Sequence, residues 1–199
     1  MKLKSLVLAI GALVISGGVH AAAPTDQKFV ELKYEKAPAK RVQQTTTKPR
    51  TAPVSTPSYD CRVVVDAIVD ARNNRQTLGA NWAEPLLPSG LEPWLEQVRA
   101  LELANKTGAW AGGKQVQVKP RLTRLYSYVE SMNIHGVIAL DIEYWVDQTL
   151  VETKKYRGLG SKTNMWNALS EYGTALNYAV HDMAPDVLTD IKAICGTKS

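Results

Sequence analysis

The chain is short of the residues that most chemistry needs. It has two cysteines, three histidines and a single phenylalanine in 199 residues. The cysteines, Cys61 and Cys195, form no CxxC pair and have no neighbouring histidine, which argues against a redox couple or a zinc site. Beyond residue 21 the histidines are His135 and His181, with no His-x-x-x-His spacing, and no serine lies in a GxSxG context. Both histidines read as surface or cap residues. No uncharged apolar run approaches the roughly 20 residues that span a bilayer. The sequence calls for no cofactor and no metal.

What is present begins with an address. Lys2 and Lys4 precede an apolar run of eleven residues, Leu6 to Ser16, and Val19-His20-Ala21 supplies small residues at cleavage spacing. That is the pattern of a secretory signal peptide over 1–21. No cysteine stands near the cleavage site to carry a lipid. The expected compartment is the periplasm, or the exterior, and it is oxidising. The two cysteines bracket the C-terminal two-thirds of the chain and allow one intrachain pairing. A Cys61–Cys195 disulfide is expected, worth about 5 kcal/mol at most in the chain-entropy account.

Charge divides the rest. The formal net charge is +5. Residues 22–58 hold seven basic side chains against three acidic ones, while 59–199 hold fifteen against sixteen. The basicity therefore lies outside the folded part, which argues against nucleic-acid binding. A basic exported tail suits anionic lipid headgroups or wall polymer, or it is a solvated linker. Five of the ten prolines fall in 22–58 with a Gln-Gln-Thr-Thr-Thr run, and only Phe29-Val30-Glu31-Leu32 alternates. This composition predicts a flexible linker, followed by one domain over 59–199.

Within that domain the apolar period alternates between two and 3.6. Residues 62–71 read as a strand. Ser89 with Glu92 fits a capping box opening a helix along Leu91, Trp94, Leu95, Val98 and Leu101. Residues 116–130 read as a strand in which Pro120 implies an edge or a bulge. Residues 136–146 and 150–157 come next after short links, giving an antiparallel meander. An apolar stripe from Met165 to Cys195 predicts a long helix that kinks at Pro185. The expected fold is α+β, an antiparallel sheet packed against two helices in the order β-α-β-β-β-α.

Four groups are candidates for function. Gly158-Leu159-Gly160-Ser161-Lys162-Thr163 has the look of a phosphate loop but fails on spacing, because Ser161 precedes Lys162 and Lys155 stands five before Gly160. It reads as a turn before a helix. Asp141, Glu143 and Asp147 share a strand face, where carboxylates suit Ca²⁺ or the flanks of a glycosidic bond. They equally suit a solvated face paired with Lys154 or Lys155. Asp66 and Asp70 allow the same two readings. Trp82 and Trp110 lie in predicted loops, open to stacking on a ligand or packing as a satellite core, whereas Trp94, Trp145 and Trp166 lie on predicted elements and read as packing.

Val69-Asp70-Ala71-Arg72, then Leu78-Gly79 and a helix near 90–103, resemble the opening of YajG-like envelope lipoproteins. Leu122-Thr123-Arg124-Leu125-Tyr126, a hairpin, Tyr156-Arg157-Gly158 and an Ala-rich helix ending Leu188-Thr189-Asp190-Ile191 are similar to the later part, so the resemblance spans about 65–197. Auxiliary lipoproteins of ABC-type lipid transporters share a comparable layout. The resemblance implies a non-enzymatic cell-envelope protein of a Gram-negative bacterium and carries over no active-site residue. The chain departs from the pattern in having no lipobox cysteine. Together these observations point to a binding or interaction module whose partner is another envelope protein or a wall or lipid component. The alternative is a carbohydrate-active or other hydrolase using the carboxylates of the central strand.

Overall fold

The computed structural model describes residues 27–36, 61–81, 84–104, 113–166 and 168–196. The expected signal peptide, most of the expected linker, Trp82 and Trp110 lie outside the described residues.

Three long strands dominate: β6 (Gln115–Glu130), β7 (Asn133–Val146) and β8 (Thr149–Thr163). They pair antiparallel through two short turns, as their alternation predicts. Residues 62–71 are not one strand. They split into β2 (Arg62–Val65) and β3 (Val69–Asp70), both parallel to β6. The sheet is therefore mixed. The reason is connectivity: the chain leaves β2, passes through a helix and returns to β6, and such a crossover joins parallel strands. Pro120 sits opposite the break. The Val118 and Leu122 carbonyls on either side of it accept from Asp66 and Ala71. A proline between them therefore turns its missing N–H toward the gap between β2 and β3, where no strand bond is forfeited.

A smaller sheet holds β1 (Lys28–Glu31), β5 (Glu84–Ser89) and β4 (Ala80–Asn81), in the order β1-β5-β4. Strand β1 lies in the segment expected to be linker, and that expectation is corrected for residues 27–36. Val30 and Leu32 are buried in the core, and β1 pairs parallel with β5. Two apolar side chains on one face are enough when a docking surface already exists.

Helix α1 (Leu91–Val98) continues as a π-helical turn, Arg99–Ala104. Its cap is Gly90 at φ 74, not Ser89, and no side chain caps it. Helix α2 (Leu169–Gly196) runs 28 residues through Pro185 and lies on the inner face of β6–β8. It starts later than predicted because β8 extends through the glycine-rich stretch. Gly158 and Gly160 are strand residues, not a turn. A Cβ on Gly158 would stand 1.8 Å from the Ala179 carbonyl oxygen, and one on Gly160 would stand 2.1 Å from that of Ala175. The glycines let helix backbone rest on strand backbone. The domain belongs to the α+β class, with its core between α2, α1 and the inner sheet face.

Cys61, just before β2, is bonded to Cys195 in the last turn of α2, with Cα atoms 5.4 Å apart. The bond ties the two ends of the sequence-defined domain across 134 residues.

Candidate functional site

Residues of β7 alternate strictly. Ile134, Gly136, Ile138, Leu140, Ile142 and Tyr144 face α2 and are buried, while the intervening residues face outward. The register then orders the outer face into rows across β6, β7 and β8. From one end they run Tyr128–His135–Ser161, Tyr126–Val137–Leu159, Arg124–Ala139–Arg157, Arg121–Asp141–Lys155 and Lys119–Glu143–Thr153. A register shift between Leu122 and Arg124 inserts Thr123 as a bulge, and its hydroxyl donates to the Ala139 carbonyl at 3.2 Å. Without that extra residue, Arg121 and Arg124 would point to opposite faces. With it, both point outward.

The outer face is thus cationic at its centre. It carries Lys119, Arg121, Arg124, Lys155 and Arg157 against Asp141 and Glu143. Lys155 reaches Asp141 only at 3.8 Å. Lys119 lies 4.1 Å over the Trp145 ring, whose indole N–H donates to Glu143 at 3.1 Å. Arg121, Arg124 and Arg157 are exposed and have no hydrogen bond or ion pair among the described residues. Arg124 and Arg157 flank the small side chain of Ala139, two strand spacings or about 10 Å apart at the backbone.

The neighbouring end is aromatic and apolar. Tyr126 stacks on Tyr128, and Tyr128 stacks on His135 at 5.0 Å. Val137 is 1% exposed although it lies outside the main core cluster. It sits in a row between Tyr126 and Leu159, so the outer face has a small apolar floor of its own. Past this row, the β6–β7 turn exposes Met132, and the chain leaving β8 exposes Met165 and Trp166. Trp166 is 84% exposed, which corrects its reading as a packing residue.

The carboxylates singled out in the sequence divide. Asp141 and Glu143 share the outer face and are engaged as described. Asp147 lies in the β7–β8 turn, accepts the Gln115 N–H at 3.1 Å and lines an open depression of about 190 Å³. Asp66 accepts from the Gln117 amide at 2.8 Å. Asp70 is clasped by the buried Arg72 guanidinium through two bonds of 2.9 Å. Those bonds hold its carboxyl below the usual range against the opposing effect of burial. No three His, Cys, Asp or Glu side chains among the described residues converge as metal ligands would. Lys154, offered as a partner for the strand carboxylates, faces inward and pairs with Asp190 of α2 at 2.9 Å.

A second polar cluster was invisible in the sequence. His181 is not a surface residue: it is buried on α2. Its Nε2 lies 2.7 Å from the Glu35 carbonyl oxygen, and its Nδ1 lies 3.4 Å from Glu102. Tyr34 donates to the same Glu102 oxygen, and burial, then that carboxylate, pushes its phenol well up. One helical turn earlier, Asn177 donates to the Lys33 carbonyl at 2.7 Å and accepts the Trp94 indole N–H at 3.0 Å. The i, i+4 spacing of Asn177 and His181 clamps the backbone after β1 onto α2. A faint signal existed, two polar residues inside an otherwise apolar stripe, but nothing in the sequence named their partners. Beside this clamp, Phe29, Glu31, Lys33 and Glu35 form an open groove of about 320 Å³ with the start of α2. No histidine or cysteine lines it.

No family model matches the sequence, and no curated protein matches it either. Among solved structures, the chain is similar to a protein from Xanthomonas campestris at 12% identity and TM-score 0.40, covering 84% of this chain and 94% of that one. It is similar to a candidate lipoprotein from Caulobacter crescentus at 13% identity and TM-score 0.37, covering 52% and 81%. A lipoprotein from Neisseria meningitidis is similar at 6% identity and TM-score 0.27, covering 69% and 99%. These likenesses are too distant to carry over what those proteins do.

Proposed function

We propose that this chain is a non-catalytic binding module of the cell envelope, exported to the periplasm by residues 1–21. In this reading it docks an anionic partner on the outer face of β6–β8. One observation carries the proposal: Arg121, Arg124 and Arg157 stand exposed and, among the described residues, unpaired on that face. Arg124 and Arg157 have only Ala139 across the strands from them, so cross-strand pairing within the sheet does not account for them. An anion across the face would turn the same cluster into charge-assisted hydrogen bonds. Hydrolysis by the strand carboxylates receives no comparable support, since Asp141 and Glu143 lie on an open face beside Lys155 and the Trp145 indole.

The test is site-specific photo-crosslinking in cells, with the reactive residue placed at position 124 or 157, and at Lys192 on the exposed side of α2 as control. Adducts should form from 124 and 157 and not from 192, and the protein should fractionate with the periplasm after losing about its first 21 residues. A full-length cytosolic product, or adducts independent of position, would overturn the reading.

A further inference from the structure

We infer that the outer face of β6–β8, with its aromatic end, docks on the surface of an anionic phospholipid bilayer. This rests on the docking reading above and names the partner.

Charge alone would suit an acidic protein equally well, and the apolar end separates the two. Large apolar side chains are exposed in several places, but five of them gather at one end of the meander: Tyr128, Met132, Leu159, Met165 and Trp166. Met132 and Met165 are each about two-thirds exposed, at 68% and 65%. The two loops that carry these residues are held together, because the Asn164 N–H donates to the Met132 carbonyl at 2.7 Å. Tryptophan and tyrosine are suited to the headgroup–acyl boundary, where one end of the ring is wet and the other apolar, and the methionines add flexible apolar surface beside them.

The geometry joins the two halves. The row Tyr126–Val137–Leu159 and the row Arg124–Ala139–Arg157 are two residues apart along the strands, or about 7 Å. If the first row rests on headgroups, the arginines stand within about one Debye length of the lipid phosphates, roughly 8 Å at physiological salt. Of the acidic side chains near that end, Glu130 lies 3.8 Å from His135, and Asp182 of α2 is engaged with the Leu159 N–H at 3.1 Å. The chain's own remaining segments are poor occupants of this face. Residues 37–60 carry Lys40, Arg41, Lys48 and Arg50 against Asp60 alone, and residues 105–112 add Lys106. A basic segment is repelled by a basic face, so the cover must come from elsewhere and be anionic.

The experiment is co-sedimentation of the full periplasmic chain with vesicles of phosphatidylcholine, with and without phosphatidylglycerol. Binding should require phosphatidylglycerol and weaken as salt rises. Arg124→Gln and Arg157→Gln should each lower partitioning about fivefold and together about 25-fold, while Lys192→Gln leaves it unchanged. Bromine-labelled acyl chains should quench tryptophan emission in the parent chain, and most of that quenching should vanish in Trp166→Phe. Equal binding to neutral vesicles, or a double arginine variant that binds like the parent, would overturn the inference. Absence of vesicle binding, with crosslinks from positions 124 and 157 to an acidic protein, would sink the lipid partner and leave the docking module standing. Loss of both would sink both.

Discussion

On its inner face the meander offers Leu122, Leu140, Ile138 and Gly158 to α2. One residue away along the same strands, or two where Thr123 bulges, its outer face offers Arg124, Ala139 and Arg157 to solvent. The strands, hydrogen bonds and twist are shared, and only the direction of the side chains differs. The inner face is tuned for contact: its glycines remove every atom between strand and helix backbone. The outer face keeps long charged side chains and leaves three guanidiniums without partners among the described residues. If the outer face docks as proposed, stability and docking fall to alternate residues of one set of strands, and each should be separately breakable.

The largest effect should come from filling the inner face. Gly158→Val places a side chain where the Ala179 carbonyl already stands, and α2 must lift. Urea unfolding should show a loss of at least about 3 kcal/mol, or no folded protein. Arg157→Val, the adjacent residue on the other face, should change stability by no more than about 0.5 kcal/mol. Comparable losses from the two would dissolve the distinction between faces.

Next comes the staple. Cys61→Ser with Cys195→Ser should cost about 2–5 kcal/mol. Vesicle binding should be retained below the new melting point, because the bond lies at the β2–α2 end of the scaffold. Loss of docking in a protein that is still folded would show that the bond shapes the outer face as well.

The clamp on α2 should matter somewhat less. Asn177→Leu strips partners from the Trp94 indole N–H and the Lys33 carbonyl, at a cost of about 1–3 kcal/mol. Amide exchange over 28–36 should quicken before that of β7. Unchanged exchange there would mean that β5 alone holds β1.

A smaller effect probes the inner polar chain, in which Tyr144 donates to Tyr156 and Tyr156 donates to Asp190 at 2.6 Å. Burial, together with the Asp190 carboxylate, pushes the phenols of Tyr144 and Tyr156 well up, whereas unfolded tyrosine titrates near pH 10. The folded state therefore holds these protons more tightly. That stabilisation is complete below about pH 10 and is lost as pH rises beyond it. Tyr156→Phe should cost about 1 kcal/mol at neutral pH and flatten the alkaline fall in stability. An alkaline limb identical to the parent's would place the titrating groups elsewhere.

Much of this fold was legible because it depends on period. Alternation marked β7, most of β6 and the first half of β8, and the 3.6 stripe from Ala168 to Ile191 marked α2. Two cysteines allowed one intrachain pairing. The misread parts depended on what lay opposite. Phe29–Leu32 alternates too briefly to stand alone and becomes β1 only against β5 and α2. Gly158-Leu159-Gly160 has the composition of a turn, and becomes strand because a helix backbone presses on it. His181 looks like any polar helix residue until Glu35 and Glu102 meet it.

The amino-acid order by itself determined the α+β class, the meander and the stripe that α2 buries, because these depend on spacing along one chain and on the insolubility of apolar faces in water. Tertiary structure alone decided that β2 and β3 run parallel to β6, that β1 belongs to the domain, and that the arginines gather. That gathering turns on a single bulge at Thr123. One extra residue reverses the side-chain parity of the rest of β6, and whether a strand bulges is settled by the partner strand it must match, not by its own sequence.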